Sequence, residues 1–292
     1  MRDFDYLVPE TIAEASNYLA QHGETCRMIA GGTALLLALR QRMVAPTHLI
    51  SLARIRNLRG MTFDDRKGLR IGAMTRHAEV ARSAIVRTHY PILADTASRL
   101  ANPQVRNQGT IGGNLCYADP ATDPPSCLMA LDASLVLSSA RGERLISLAD
   151  FLIDYYTTAL APDEILSEIR VPPPRFDIGY HARFLRTAAE HRPLVNMAVT
   201  MKRDRDVVRE IRLVVGATTT IPTRVREAET FLEGKAVTAS IASETADIVA
   251  AGINPISDIR GSDTYRREMV RVVARRTIAR LCGLEPAEKS VA

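Results

Sequence analysis

The chain has 292 residues, 46 % of them hydrophobic and 24 % charged, with a formal net charge of +5. That length predicts two or three domains with cores of their own, and the composition is that of a globular protein rather than a disordered or fibrous one. The positive charge comes from 34 arginines against four lysines, dispersed along the chain, a pattern that suits salt bridges and protein interfaces and, lacking a basic arm interleaved with aromatics, argues against a nucleic-acid partner.

In chain order, the opening MRDFDYLVPE has no signal-peptide core, and no later run reaches the roughly twenty apolar residues of a membrane helix. A cytoplasmic protein with no integral membrane segment is expected. TIAEASNYLAQHG, residues 11–23, reads as a helix: Thr11 and Glu14 form a capping-box pair, Ile12, Ala15 and Leu19 share one face, and Gly23 stops it. The strand-like CRMIA runs into Gly31-Gly32, ALLLALRQRM has helical length, and HLISL is a second strand. This spacing predicts a βαβ unit with parallel pairing.

From about Leu69 short strands (LRIGAM, SLVLSS, RLISL) alternate with helices such as RHAEVARS and ILADTASRLA. SSARGERLISL predicts a hairpin around Arg141-Gly142, and the texture is α+β with mainly antiparallel strands. The prolines Pro172 to Pro174 end the strand EILSEIRV and mark a domain boundary. The last third pairs NMAVTMKR with VVREIRLVVGA and adds three helices. In the final one Val270, Val273, Ala274, Thr277, Ile278 and Leu281 repeat at helical spacing, with Arg267, Arg271 and Arg276 on other faces. The four cysteines and six histidines are scattered, with neither cluster-ligand spacing nor H-E-x-x-H, so no metal site is expected in this chain.

Two glycine-rich stretches carry the functional signal. No two of the sixteen glycines are two apart, which excludes a G-x-G-x-x-G dinucleotide fingerprint, and the one Gly-Lys pair, Gly234-Lys235, lacks the rest of a P-loop. What remains is strand, Gly31-Gly32-Thr33, helix, which is either a tight turn or a cradle whose backbone amides accept a phosphate. The second stretch, RNQGTIGGNLCYADPATDPP, holds Gly109, Gly112 and Gly113 beside Thr110 and Asn114. Together they suggest a diphosphate lying between the two loops, with Asp123 suited to a ribose or ribityl hydroxyl and Asp119 to a turn before proline.

IAGGTALL, taken with NPQVRNQGTIGGN and ADPATDPP, resembles the FAD-binding medium subunits of molybdenum hydroxylases, the family of xanthine and carbon monoxide dehydrogenases. TYRREMVRVVARRTI is similar to the C-terminal flavoprotein domain of that family. The resemblance implies an α+β protein with an FAD-binding fold of the p-cresol methylhydroxylase type: two α/β subdomains over residues 1–57 and 58–174, a C-terminal domain with an antiparallel sheet and helices over 175–285, and a tail, 286–292. It also implies that the backbone of Ile29, Ala30, Gly31, Gly32, Thr33, Ala34, Leu35 and Leu36 binds the pyrophosphate together with Gly109, Thr110, Ile111, Gly112, Gly113 and Asn114. Leu100 and Ala101 would lie against the cofactor, Asp123 would contact its polyol or nucleotide portion, and Leu166 would make a backbone contact to the adenine or isoalloxazine region.

Two positions depart from the family pattern. Arg186 stands where a lysine is usual, and is either a cofactor contact or half of a surface ion pair. Ala34 replaces the usual aspartate of A-G-G-T-D, removing a cap-like carboxylate worth about 1 kcal/mol to the helix. The segment Glu190 to Asn196 falls where relatives set side chains near the flavin ring, or simply turns the chain. The implied function is that of an electron-transfer subunit. FAD would take electrons from [2Fe-2S] clusters on a small partner subunit, a large partner subunit would carry the molybdenum cofactor, and an acceptor such as NAD or a quinone would reoxidise the flavin. The alternative is a stand-alone FAD-dependent oxidoreductase of the same superfold acting on its own small substrate.

Overall fold

The computed structural model describes residues 3–187 and 189–284, so the expected tail, 286–292, lies outside the described residues. The chain divides into two compact units, 3–119 with 132–173 and 120–131 with 174–284. The segment 120–131, which the linear reading places in the middle of the FAD-binding region, therefore belongs with the C-terminal unit.

The first unit opens with a three-stranded parallel sheet: β1 (Asp5–Leu7), β2 (Cys26–Ile29) and β3 (His48–Ser51), in the order β1-β3-β2. Helix α1 (Ile12–His22) links β1 to β2, and α2 (Leu35–Arg40) links β2 to β3. The start of α1 is fixed by the expected capping box: Thr11 Oγ1 accepts the Glu14 amide at 3.1 Å, and Glu14 Oε2 accepts the Thr11 amide at 3.2 Å. Gly23 ends the helix at φ +53°. Ala15 and Leu19 turn inward onto Ile50, Leu52, Ile55 and Leu58, the core beneath the small sheet. β1 is paired in parallel with β3 (Asp5 opposite His48) and forms one edge of the sheet.

The second sheet of this unit is antiparallel and five-stranded. It contains β4 (Met61–Asp64), β5 (Gly68–Gly72), β6 (Ser134–Ser139) and β7 (Gly142–Ser147), and after the small ribbon β8 (Leu152–Asp154) and β9 (Thr157–Thr158) it is completed by β10 (Ile165–Val171). The order is β4-β5-β10-β6-β7, and β6 and β7 form the expected hairpin, Ser139 opposite Gly142. The connection from β5 to β6 carries α3 (His77–Arg82), α4 (Ala84–His89), α5 (Pro91–Arg99), α6 (Pro103–Gln108), α7 (Ile111–Tyr117) and α8 (Pro124–Ala130), and α9 (Leu148–Phe151) follows β7.

The second unit contains α8 and an antiparallel sheet of β11 (Ile178–Phe184), β12 (Val195–Asp204), β13 (Val207–Gly216) and β14 (Thr223–Arg224) in sequential order. Helices α10 (Arg226–Leu232), α11 (Ala239–Ala251) and α12 (Asp263–Leu281) complete it. Met197, Val199, Met201, Ile211, Leu213 and Val215 from the sheet meet Val249, Val270, Val273, Ala274 and Ile278 from the helices in one apolar core. The periodicity of α12 follows from that packing, with one exception. Arg266, a residue of its basic sequence, is fully buried: its Nη1 donates to the Ala217 carbonyl at 2.7 Å and its Nη2 lies 2.6 Å from the Asp258 carboxylate. Burial pushes the Asp258 carboxyl up, but the hydrogen bonds from Arg266 and Arg260 outweigh it and hold the group at about 2.

Candidate functional site

The first glycine loop leaves the carboxyl end of β2, where the Leu52 amide still reaches the Ile29 carbonyl at 3.1 Å, and enters α2 with the Leu36 amide on the Gly32 carbonyl at 3.0 Å. Two physical demands fix its glycines. Gly32 adopts φ +72°, a conformation that side chains disfavour. A Cβ on Gly31 would stand 2.2 Å from the Gln108 carbonyl oxygen and 2.8 Å from the Gly109 Cα, so this loop packs backbone to backbone on the end of α6. Between these contacts the amides of Gly31, Gly32, Thr33, Ala34 and Leu35 meet no protein acceptor among the described residues. Ala34 sits at the N-cap of α2 with no side-chain cap, as its methyl group dictates.

The second glycine loop is built differently. Gly109 ends α6, its amide on the Val105 carbonyl at 2.7 Å, and Thr110 caps α7, its Oγ1 accepting the Gly113 amide at 3.1 Å. The Ile111 amide donates to Thr75, the Gly112 amide to Ala73 and the Asn114 amide to Thr110, at 2.9, 2.9 and 3.0 Å. Gly112 lets α7 approach the end of β5, since a Cβ there would be 2.5 Å from the Ala73 Cβ. A Cβ on Gly113 would face Ala30 at 3.5 Å, and one on Gly109 would face Thr33 Oγ1 at 3.4 Å, so the two loops share a border along their lengths.

His77, the first residue of α3, braces this second loop. Its amide donates to the Gly109 carbonyl at 3.1 Å, and its ring stands close beside Gly109, 3.3 Å from the ideal Cβ position. Burial alone pushes the imidazole down to about 4, so it is neutral at ordinary pH.

Leu100 and Ala101 follow α5 in the same unit. Leu100 is buried, Ala101 takes φ +43°, and Arg106 Nη1 holds both carbonyls, at 2.9 and 3.0 Å. Leu166 is buried in β10 beside the register shift between Leu166 and Glu168. Asp123 and Arg186 belong to the second unit. The Asp123 side chain is 1 % exposed, 3.1 Å from Arg183 Nε, and accepts Asn196 Nδ2 at 3.3 Å, with His181 Nε2 at 3.9 Å. Arg186 is exposed and pairs with Glu190, whose carboxyl the guanidinium hydrogen bond holds below its usual range.

The donor set fits a diphosphate: a row of amides with nowhere else to donate, bordered by glycine surface that a Cβ would obstruct. The match to known proteins agrees. The family model described as "FAD binding domain in molybdopterin dehydrogenase" matches residues 2–174, and that described as "CO dehydrogenase flavoprotein C-terminal domain" matches 181–281. The chain belongs to this flavoprotein family.

Among relatives of this medium subunit, the 6-hydroxypseudooxynicotine dehydrogenase complex subunit alpha of Paenarthrobacter nicotinovorans is 33 % identical, across 99 % of this chain and 98 % of that one. The carbon monoxide dehydrogenase medium chain of Hydrogenophaga pseudoflava is also 33 % identical, across 94 % and 96 %. The solved structure of quinoline 2-oxidoreductase from Pseudomonas putida 86 superposes with a TM-score of 0.91 at 29 % identity, covering 96 % of this chain and 97 % of that one. Among the described residues of the medium subunit no helix is long and apolar enough to cross a membrane, and no cluster of His, Cys, Asp and Glu could hold a metal ion.

Sequence reasoning about this subunit missed His77, Arg183 and Arg266. An isolated histidine or arginine in a strand or helix reads as ordinary surface, and only tertiary packing reveals it as buried. Asn196, within the segment 190–196 that the sequence reading sets near the flavin ring, donates instead to the Thr122 carbonyl at 2.9 Å and to Asp123 at 3.3 Å.

Proposed function

We propose that this chain binds FAD as the electron-transfer subunit of a molybdenum-containing dehydrogenase. It receives electrons from [2Fe-2S] clusters of a small partner subunit, alongside a large subunit bearing the molybdenum cofactor, and delivers them to an external acceptor such as NAD or a quinone. The observation that carries this reading is the row of uncommitted amides from Gly31 to Leu35, bordered by the second glycine loop. When bound, FAD supplies the redox chemistry, and the protein supplies placement and electrostatics. The five amides donate to the diphosphate, and the Thr110 amide, which has no acceptor among the described residues, adds a donor from the facing loop. Thr33 and Asn114 border that anion with neutral polar groups, Leu100 and Ala101 lie against the cofactor, and Leu166 offers its backbone. Within the second unit Asp123 is engaged by Arg183 and Arg186 by Glu190.

Two measurements test the reading. Purified chain should show a flavin spectrum and release FAD on heating; neither signal, even after refolding with FAD, would overturn it. Native co-purification should bring down molybdenum and iron together with flavin. A metal-free flavoprotein that is rapidly reduced by a small substrate of its own would instead establish the stand-alone oxidoreductase.

A further inference from the structure

Ala101 occupies the left-handed region, φ +43°, which a side chain disfavours. Arg106, the fourth residue of α6, holds it there: Nη1 donates to the Leu100 carbonyl at 2.9 Å and to the Ala101 carbonyl at 3.0 Å, and the guanidinium has no carboxylate partner among the described residues. A trans peptide group points its C=O and its N–H in opposite directions. By drawing both carbonyls to one side, Arg106 therefore turns the amides of the same two peptide groups, those of Ala101 and Asn102, to the other. Neither amide meets an acceptor among the described residues, and both residues are half-buried. The bend is fastened to α6 at its start, where Asn102 Oδ1 accepts the Val105 amide at 2.9 Å. At the other end of these six residues, about 9 Å away at the helical rise, Gln108 and Gly109 pack against Gly31.

We propose that Arg106 is a positioning residue for the cofactor: it holds the bend at Leu100 and Ala101 so that the Ala101 and Asn102 amides donate to edge atoms of one of FAD's two ring systems, a role that rests on the FAD-binding reading above. FAD carries a heterocycle on either side of its diphosphate, flavin on one and adenine on the other, and each has edge atoms that accept hydrogen bonds. Two adjacent donors one short helix away from the cradle at Gly31 suit such an edge. A bend needed for folding alone is made at lower cost by glycine at 101, with no clamp and no left-handed alanine. Half-buried amides without acceptors also disfavour the empty chain, and a ligand that accepts from them offsets that cost. Arginine suits the task because one planar amino group carries two hydrogens and so reaches both carbonyls at once. Bend, helix and cradle thus form one prearranged set of donors.

The test uses the full chain freed of flavin and reads FAD affinity by fluorescence titration, ADP affinity by competition, and the midpoint potential of the rebound flavin. Arg106→Met keeps an unbranched side chain but removes both donors. It should weaken FAD binding about tenfold, the factor by which alanine resists the left-handed region. Ala101→Gly, which enters that region unaided, should recover most of the loss when combined with Arg106→Met. Arg106→Lys, which keeps the charge and so guards against a variant that fails to fold, should lose about threefold. A loss shared by ADP assigns the bend to the adenine end; a loss confined to FAD, with a shifted potential, assigns it to the flavin ring. Wild-type FAD affinity in folded Arg106→Met or Arg106→Lys, or a loss that Ala101→Gly does not correct, overturns the positioning role and leaves the electron-transfer reading intact. A wild-type chain that takes up no flavin would defeat the FAD-binding reading itself.

Discussion

At 31–35 five consecutive amides meet no acceptor among the described residues, whereas at 111–114 all four are engaged by Thr75, Ala73 and Thr110. Both loops are glycine-rich, and the glycines answer different needs. In the first loop they permit a left-handed turn and a backbone contact that together leave donors pointing at nothing. In the second they let a helix lie against Ala73 and leave a smooth surface. Glycine content alone therefore does not tell the two loops apart, whereas the tally of N–H groups and their acceptors does.

The sharpest way to break this contrast is Gly31→Ala. With the Gln108 carbonyl oxygen only 2.2 Å from the new Cβ, the two loops must part. We expect flavin content to fall to background and the chain to lose about 4 kcal/mol, read by heat-released FAD and by thermal melting. Next in size is the brace under the second loop. His77 has a folded value of about 4 against 6.5 unfolded, so below pH 6.5 the unfolded chain takes up the proton first. Stability present above pH 6.5 is lost as pH falls towards 4, by about 3 kcal/mol in total. In urea melts across that window His77→Gln should show a flatter pH profile than wild type; an equally steep profile would refute the assignment.

Gly112→Ala should cost about 2 kcal/mol through its contact with Ala73, yet the fraction that stays folded should bind FAD with near-normal affinity, because the amide concerned already serves Ala73. Loss of affinity in folded Gly112→Ala would show the two loops to be alike after all. The smallest effect is expected at Ala34, whose methyl leaves α2 uncapped. Ala34→Asp should stabilise the flavin-free chain by about 0.5 kcal/mol without improving FAD binding, since the added carboxylate competes for the same donors.

Much of this was legible in advance where the signal is local. The capping box of α1, the hairpin at Arg141-Gly142 and the buried stripe of α12 each follow from residues a few positions apart. Non-local features were not. β1 is three residues long and exists only through its pairing with β3, too short for any periodicity to show. β11 reads IGYHARF, in which His181 is fully buried and Arg183 nearly so, because both face Asp123. The site divides along the same line. The glycine positions were visible as sequence, but which amides lack acceptors depends on Thr75 and Ala73, which no spacing rule connects to Gly112.

The contact of Gly31 with Gln108 also orders events in time. The two walls of the cradle come from segments far apart in the chain, and such long-range closure comes late in folding. During synthesis the first loop emerges long before the segment that completes it. If the two loops hold the cofactor together, it is not captured before Gln108 has joined the chain, and a nascent chain interrupted before Gln108 should be colourless.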